Sequence, residues 1–229
     1  MTHRITSPVR VVWDWNGTVR DDVADHVAAL NATLPALGGR PVTVEDYRAK
    51  HRVPIRAFYD ELLGRAITDA EWQSNDAAFL AVLDARPVRL RTGVRQLMMQ
   101  LRARGIGQSL LSLAPHDRLE REVHRVGIGA LMDRIDGRHG PSVTSKAPSL
   151  AAHLRALGPD TDPAGVVVIG DSCDDAVAAR AVGAFPVLHT GGLHSAQRLA
   201  TDGAPLVNTL EEAVEIGLAV VSERVGARA

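Results

Sequence analysis

The hydrophobic positions open with one short apolar run and continue with a long helical stretch. Val11-Val12-Trp13 is uniformly apolar and ends at Asp14. A run of this length without polar alternation predicts a parallel strand buried on both faces. Residues 20–87 then keep apolar positions at helical spacing, and Pro87 disfavours any further helix. The pattern predicts one strand followed by a small helical unit.

After residue 87 the pattern alternates between helices and strands. The predicted strands lie at residues 108–113, 134–136, 166–169 and 185–189, with helical stripes between them and a last helix over 209–221. Repeated strand-then-helix units with right-handed crossovers build a doubly wound parallel sheet. We therefore predict an α/β fold, with a Rossmann-like core domain of residues 1–19 plus 88–229 and an inserted helical domain of residues 20–87.

Composition narrows the partners and the compartment. The 229 residues are 45% hydrophobic, and 26 Lys and Arg nearly balance 27 Asp and Glu, so no overall field attracts nucleic acid or an anionic membrane. The first residues lack the apolar stretch of a signal peptide, and no apolar run is long enough to cross a bilayer. The single cysteine, Cys173, agrees with a reducing compartment. We expect a cytoplasmic protein that binds neither nucleic acid nor membrane, and the sequence leaves its oligomeric state open.

Polar side chains with chemical potential follow the predicted strands. Asp14 ends the first strand, Ser112 stands near the end of the next, and Asp171 follows the run at 166–169 after a single glycine, Gly170. Open α/β sheets place their chemistry at these carboxyl ends. A carboxylate there can act as a nucleophile, and carboxylates gathered at one edge suit Mg²⁺. The hydroxyl of Ser112 can donate a hydrogen bond to a phosphoryl oxygen.

Lys146 precedes a predicted helix that has Pro148 in its first turn. Its ammonium could balance the charge of both a carboxylate and a phosphate. Taken singly, these residues also fit ordinary roles: Ser112 and Asp171 suit caps, and Lys146 suits a solvated surface. Their order along the chain is therefore the stronger evidence.

That order resembles the haloacid dehalogenase superfamily over about residues 9–222. The four motifs are Asp14-Trp15-Asn16-Gly17-Thr18, Ser112, Lys146 and the run Gly170-Asp171-Ser172-Cys173-Asp174-Asp175. The helical insertion after the first motif is similar to the cap of the phosphoglycolate phosphatase and β-phosphoglucomutase-like branch. The resemblance implies a Mg²⁺-dependent phosphatase that acts on a small phosphorylated metabolite.

The resemblance also implies roles at the metal and the reacting phosphorus. Asp14 would be the nucleophile that forms an aspartyl-phosphate. Asp14 and Asp171 would bind Mg²⁺ through their carboxylates, and Asn16 would bind it through its backbone carbonyl.

Three further roles concern the phosphoryl group and its charge. Thr18 and Ser112 would hold phosphoryl oxygens, and Lys146 would neutralise negative charge. Asp175 would orient Lys146 or a metal-bound water.

Asn16 departs from the family pattern, which has a second Asp at this position as acid and base. An amide can neither protonate a leaving alkoxide nor deprotonate a water. General acid–base help is worth about 10²- to 10⁴-fold. We therefore expect proton transfer to be attenuated or rerouted, with His26, His51 and His116 as candidates because imidazole exchanges protons near neutral pH.

A basic cluster lies in the predicted cap beside Val53-Pro54, where caps of this branch carry a substrate-selecting loop. Lys50, His51, Arg52 and Arg56 form it. Arg52 and Arg56 are predicted to bind a second anionic group of the substrate. A solvated face is the ordinary alternative.

Two other functions stay open at this point. Phosphonoacetaldehyde hydrolases also lack a carboxylate at the position of Asn16, and they cleave a carbon–phosphorus bond with a cap lysine, for which Lys50 is the only candidate. A non-catalytic regulatory module would bind phosphate and Mg²⁺ without turnover.

Overall fold

Six parallel strands form the centre of the molecule. The computed structural model describes residues 9–140 and 145–227. The strands are β1 (Arg10–Trp13), β2 (Gly107–Pro115), β3 (Arg134–Arg138), β4 (Val166–Gly170), β5 (Phe185–His189) and β6 (Leu206–Val207). Their order in the sheet is β3-β2-β1-β4-β5-β6, and every neighbouring pair is parallel. The predicted α/β fold with a doubly wound parallel sheet is confirmed.

Among the described residues, four α-helices follow β1, and six more accompany the sheet, the first of which also precedes β2. The first group is α1 (Val23–Thr33), α2 (Val44–Lys50), α3 (Ile55–Leu63) and α4 (Asp69–Asp84). The second group is α5 (Val94–Ala103), α6 (His116–Arg125), α7 (Ala147–Ala156), α8 (Cys173–Val182), α9 (Ala196–Ala200) and α10 (Leu210–Gly226). We call residues 23–84 the cap helices.

Helices cover both faces of the sheet, which explains why the central strands are apolar throughout. Trp13 belongs to one large buried cluster with residues of α5 and α10, whereas Val12 packs on the opposite face with residues of α7 and α8. Trp13 pairs with Ile169, and the backbone N–H of Asp14 donates to the Ile169 carbonyl at 2.9 Å. The chain leaves β1 for β2 on one side while β4 lies on the other. Residues after β1 and β4 therefore emerge side by side at the switch point of the sheet.

The cap helices have a hydrophobic cluster of their own. It includes Leu30, Tyr47 and Phe58, and it receives Leu193 from the loop after β5. Thr43 and Thr68 open α2 and α4 with capping boxes. The division into residues 1–19 plus 88–229 and residues 20–87 stays a prediction.

Two short elements escaped the sequence pattern. They are β6, with two residues, and α9, with five. Elements this short show no period that could separate them from a loop. Over residues 9–140 and 145–227, no helix combines the length and the apolar character needed to cross a membrane.

Candidate active site

Lys146 joins two carboxylates at the carboxyl edge of the sheet. Its Nζ contacts Oδ1 of Asp14 and lies 2.6 Å from Oδ1 of Asp175. Its backbone N–H donates to Asp174 at 3.0 Å, which fixes the start of α7 against α8. Burial opposes the charge of the ammonium, but Asp14 and Asp175 outweigh it and raise the pKa of Lys146. The lysine is therefore a buried cation held between two acids.

Asp171 completes a cluster of three carboxylates. Its Oδ1 accepts from the Thr18 hydroxyl at 2.9 Å, and its Oδ2 accepts from the Leu193 N–H at 2.5 Å. Burial, together with the nearby Asp175, raises the pKa of Asp171 to about 7. Burial likewise raises the pKa of Asp14 well above its ordinary value, although Lys146 opposes the rise.

This cluster fits a divalent cation. One oxygen from each of Asp14, Asp171 and Asp175 lies within 4.8 Å of the others. When all three are ionised, the single ammonium of Lys146 leaves two negative charges in a buried place. Carboxylate oxygens are the ligands that Mg²⁺ prefers, and its charge would balance what remains. The elevated pKa of Asp171 is a sign that this compensation is needed.

Glycines bring the backbone into contact with these carboxylates. Gly17 has φ of 76°, and a Cβ there would lie 2.3 Å from Oδ2 of Asp171. A Cβ on Gly192 would lie 2.4 Å from Cβ of the same aspartate. Asp171 is therefore enclosed by two backbone segments that no larger residue could form without movement.

Asn16 is tied to Asp22 at the start of the cap helices. Its Nδ2 donates to Oδ2 of Asp22 at 2.6 Å, and the Gly17 N–H donates to the other oxygen at 2.8 Å. Nε2 of His26 lies 3.4 Å from the Asn16 amide nitrogen and 3.3 Å from Asp22. Burial opposes ionisation of Asp22, but His26, Arg20 and Asn16 lower its pKa. The amide at position 16 thus faces a carboxylate that accepts a hydrogen bond from it.

A buried ionic network holds the segment that carries Asn16 and Asp22 against α6. Arg20 is fully buried, with Nη1 2.6 Å from Glu122 and Nε 3.2 Å from Asp22. The indole N–H of Trp15 donates to Glu122 at 2.7 Å. Sequence reasoning missed this network because Arg20 and Glu122 lie 102 residues apart. The sequence does contain one signal of it. Glu122 is three residues after Leu119, so both lie on the same face of α6, and that face is buried.

A cavity of about 180 Å³ lies between the cap helices and the carboxylates. One end is lined by Asp14, Asn16, Ser112, Lys146, Asp171 and Asp175. The other end is lined by aromatic and aliphatic side chains of the cap helices, among them Tyr59, Trp72, Phe79 and Leu80. The reactive acids thus face an apolar chamber.

Other predicted site residues are used differently. Ser112 lines the cavity, and its Oγ accepts from the Ala114 N–H at 3.1 Å. Thr18 is fully buried and is not one of the residues that line the cavity, and its hydroxyl donates to Asp171 instead. Arg52 contacts Glu61, and Arg56 lies 2.6 Å from Asp69. The structure does not bring Arg52 and Arg56 to the cavity, because each finds a carboxylate on the cap surface.

The three candidate histidines are also separated. His26 and His51 line the cavity, but only His26 contacts Asn16. Burial, with His194 nearby, lowers the pKa of His51 well below its ordinary value, so it is neutral. Nδ1 of His116 accepts from the Gly137 N–H at 3.1 Å, and this residue does not line the cavity as described.

The chain is similar to known hydrolases in both sequence and structure. The family model of haloacid dehalogenase-like hydrolases matches residues 10–183. A phosphoglycolate phosphatase of Synechococcus elongatus is 29% identical over 195 residues, which cover 82% of this chain and 87% of the relative. One from Cereibacter sphaeroides is 30% identical over 193 residues, covering 81% and 87%. The crystal structure of a hydrolase from Pseudomonas syringae superposes with a TM-score of 0.73 at 21% identity, covering 91% of this chain and 99% of that one.

Proposed function

Because the chain belongs to the haloacid dehalogenase-like hydrolases, we propose that it is a Mg²⁺-dependent phosphomonoesterase that forms an aspartyl-phosphate on Asp14. The two relatives described above are phosphatases, and their similarity over four fifths of the chain supports a phosphatase here too. The contact between Lys146 and Asp14, with Asp175 on the other side of the ammonium, carries the finer proposal. A nucleophilic carboxylate needs its charge masked when it meets an anionic ester, and this pairing supplies a positive charge.

The chain's own residues account for most of the proposed reaction. Asp14 attacks phosphorus and displaces the alcohol, and water then cleaves the aspartyl-phosphate. Lys146 offsets the charge of the phosphoryl group, and Asp175 holds Lys146 in place. The carboxylates of Asp14 and Asp171, with the backbone carbonyl of Asn16, would hold Mg²⁺. When bound, the metal would offset the charge of the nucleophile and of the phosphoryl oxygens.

Proton transfer is the step that Asn16 changes. The amide donates to Asp22 and has no acidic proton to give to a leaving group. We propose that turnover is attenuated for esters of weakly acidic alcohols or rerouted through His26, which lies beside Asn16 in the cavity. A small phosphorylated metabolite remains the proposed class of substrate. Both relatives described above are named for phosphoglycolate.

Cleavage of a carbon–phosphorus bond finds no support in the geometry. Lys50 ends α2 and does not line the cavity as described, where Lys146 is the lysine present. The regulatory-module alternative differs from the proposal only in turnover, so the assay below separates the two.

The test measures phosphate release from a panel of phosphate esters with Mg²⁺ and with excess chelator. We expect Asp14→Asn to lower turnover by at least about 10³-fold, since loss of a nucleophile removes the covalent route. Asp21→Asn is the matched control, because Asp21 is an exposed acid in the same loop. Mass spectrometry of the acid-quenched enzyme should show a phosphoryl adduct on Asp14. Activity that survives Asp14→Asn would refute the nucleophile, and Mg²⁺ and phosphate binding without turnover would support the regulatory module.

A further inference from the structure

The far end of the cavity differs in chemistry from the end that holds the acids. Trp72, Phe79 and Leu80 come from one helix, α4, and Val53 and Ile55 come from the segment that starts α3. All five are only partly buried, and Ile55, Trp72 and Phe79 pack against the cap cluster. Their remaining exposed surface is therefore available to a group inside the cavity.

The cap side of the cavity offers no unpaired cation for an anionic substrate group. Among the described cap residues that line it, none is an arginine or a lysine. Burial raises the pKa of Tyr59 to about 12, so its phenol is neutral. The acid in this wall is Asp76, whose pKa is raised by burial despite the opposing charge of Arg138. A second carboxylate on the substrate would meet this acid rather than a base.

The arginines from the core are already engaged. Arg118 lies 2.7 Å from Asp84 and 2.8 Å from Glu122. Arg138 donates from Nε to the Leu113 carbonyl at 3.1 Å and from Nη1 to the Gly140 carbonyl. Its charge also faces Asp76. A small anionic acid would therefore compete with Asp84, Glu122 and Asp76 for these two guanidinium groups.

We infer that the alcohol half of the substrate is an apolar ring, so that the enzyme prefers aryl phosphate monoesters to esters of small anionic acids. The inference rests on the proposed phosphatase function and names its substrate class. The whole cavity measures about 180 Å³ and holds both the phosphoryl group and the alcohol half, which limits the alcohol half to no more than one small ring. Aromatic walls add edge and face contacts with a bound ring.

An aryl ester also suits a site with an amide at position 16. Asp14 forms a bond to phosphorus while the bond from phosphorus to the phenolic oxygen breaks, and the electron pair leaves with the phenolate. A phenol ionises near pH 10, far below the value of about 15.7 for water, so its anion leaves without prior protonation. Water then cleaves the aspartyl-phosphate. The net products are phenol and hydrogen phosphate, each carrying one proton from the water.

The test compares three esters with the full-length enzyme and Mg²⁺. Phenyl phosphate carries the ring on a good leaving group, benzyl phosphate keeps the ring but leaves as an alkoxide, and 2-phosphoglycolate has a carboxylate instead of a ring. We expect kcat/KM for phenyl phosphate to exceed that for 2-phosphoglycolate by at least about tenfold, with benzyl phosphate showing a similar KM but a lower kcat. A preference for 2-phosphoglycolate would overturn the inference and leave the phosphatase function standing.

Variants separate recognition by the cavity from the intrinsic reactivity of aryl esters. Phe79→Ala and the milder Trp72→Leu should each lower the ratio of kcat/KM for phenyl phosphate to that for 2-phosphoglycolate by about tenfold. Leu63→Ala removes a partly buried side chain from the same cap cluster without touching the cavity, and it should keep the ratio. An unchanged ratio in both aromatic variants would overturn the inference.

Failure of the proposed function would give a different result. If none of the three esters is hydrolysed, calorimetric affinities of the wild-type protein for phenyl phosphate and 2-phosphoglycolate decide. Tighter binding of phenyl phosphate supports the inference, and equal or weaker binding overturns it.

Discussion

The two ends of the cavity use charge in opposite ways. At the sheet edge, Asp14, Asp171 and Asp175 are buried and held by an ammonium, a hydroxyl and backbone N–H groups. In the cap helices, Arg52 and Arg56 lie on the surface, and the residues turned inward are mostly apolar. Charge concentrated in the interior is expensive unless it is compensated, and here the compensated carboxylates line a cavity that a substrate can enter. Charge clustered in the cap sequence forms ion pairs at the surface instead.

The two lysines of the chain give the largest contrast between these regions. Lys146→Met leaves buried carboxylates without their cation and should cost about 3–5 kcal/mol of unfolding free energy without metal. Excess Mg²⁺ should recover part of that loss. Lys50→Met, on the cap, should change stability by less than about 0.5 kcal/mol. Urea denaturation of both variants with and without Mg²⁺ measures the difference, and equal losses would contradict it.

Two glycines with the same backbone conformation sharpen the contrast. Gly17 and Gly38 have φ of 76° and 81°, but only Gly17 has atoms within 4 Å of an added Cβ. Gly38→Ala should cost about 1–2 kcal/mol from the left-handed conformation alone. Gly17→Ala adds a clash with Asp171 and should cost on the order of 3 kcal/mol while raising the Mg²⁺ concentration for half-maximal activity. Similar losses, with unchanged Mg²⁺ dependence, would mean that the enclosure of Asp171 is loose.

Substitutions at position 16 test whether its surroundings favour an amide over a carboxylate. Asn16→Asp places a carboxylate against the carboxylate of Asp22 and should cost about 1–3 kcal/mol. Adding Asp22→Asn should remove that repulsion, with a coupling energy of at least about 1 kcal/mol in the double-mutant cycle. Denaturation of the wild type, both single variants and the double variant completes the cycle. Zero coupling would show that the contact between Asn16 and Asp22 does not select the amide.

The smallest effects are expected on the cap surface. Arg52→Ala and Arg56→Ala each break an exposed ion pair and should cost less than about 1 kcal/mol. Their kcat/KM values should stay within about twofold of wild type. Steady-state kinetics with 2-phosphoglycolate is the decisive measurement. A KM that rises more than about tenfold would restore the predicted role of these arginines and contradict an apolar cavity.

The sheet and the meeting of Asp14 with Asp171 could be predicted from sequence, because each of these two residues follows a strand that the hydrophobic pattern reveals. Asp14 and Asp171 lie next to the apolar runs of β1 and β4, so topology alone brings them together. The cavity wall follows no such rule. Trp72 and Phe79 look like ordinary cap interior, and their side chains reach the cavity only through the packing of α4 against the neighbouring elements.

The environment of Asn16 was equally hidden from sequence. Asp22 is six residues away, but its burial depends on Arg20 and, through it, on Glu122 in α6. The predicted substrate contact of Arg52 and Arg56 stays a prediction, and the structure shows each of them paired with an acid on the cap surface. A basic run predicts a binding surface only when no acid lies within reach, and here Glu61 and Asp69 are in reach.

Leu193 connects the loop after β5 with the cap helices, which matters for any attempt to replace those helices. Its side chain belongs to the cap cluster, while its backbone N–H holds Asp171. Arg48 of α2 strengthens the same junction, since it donates to the carbonyls of Gly191 and Gly192 at 2.9 Å. A chimaera that receives the cap helices of another protein but keeps residues 190–195 of this chain would lose the packing of Leu193 and the hydrogen bonds of Arg48. The cap helices therefore depend for their seating on a loop that lies more than 100 residues further along the chain.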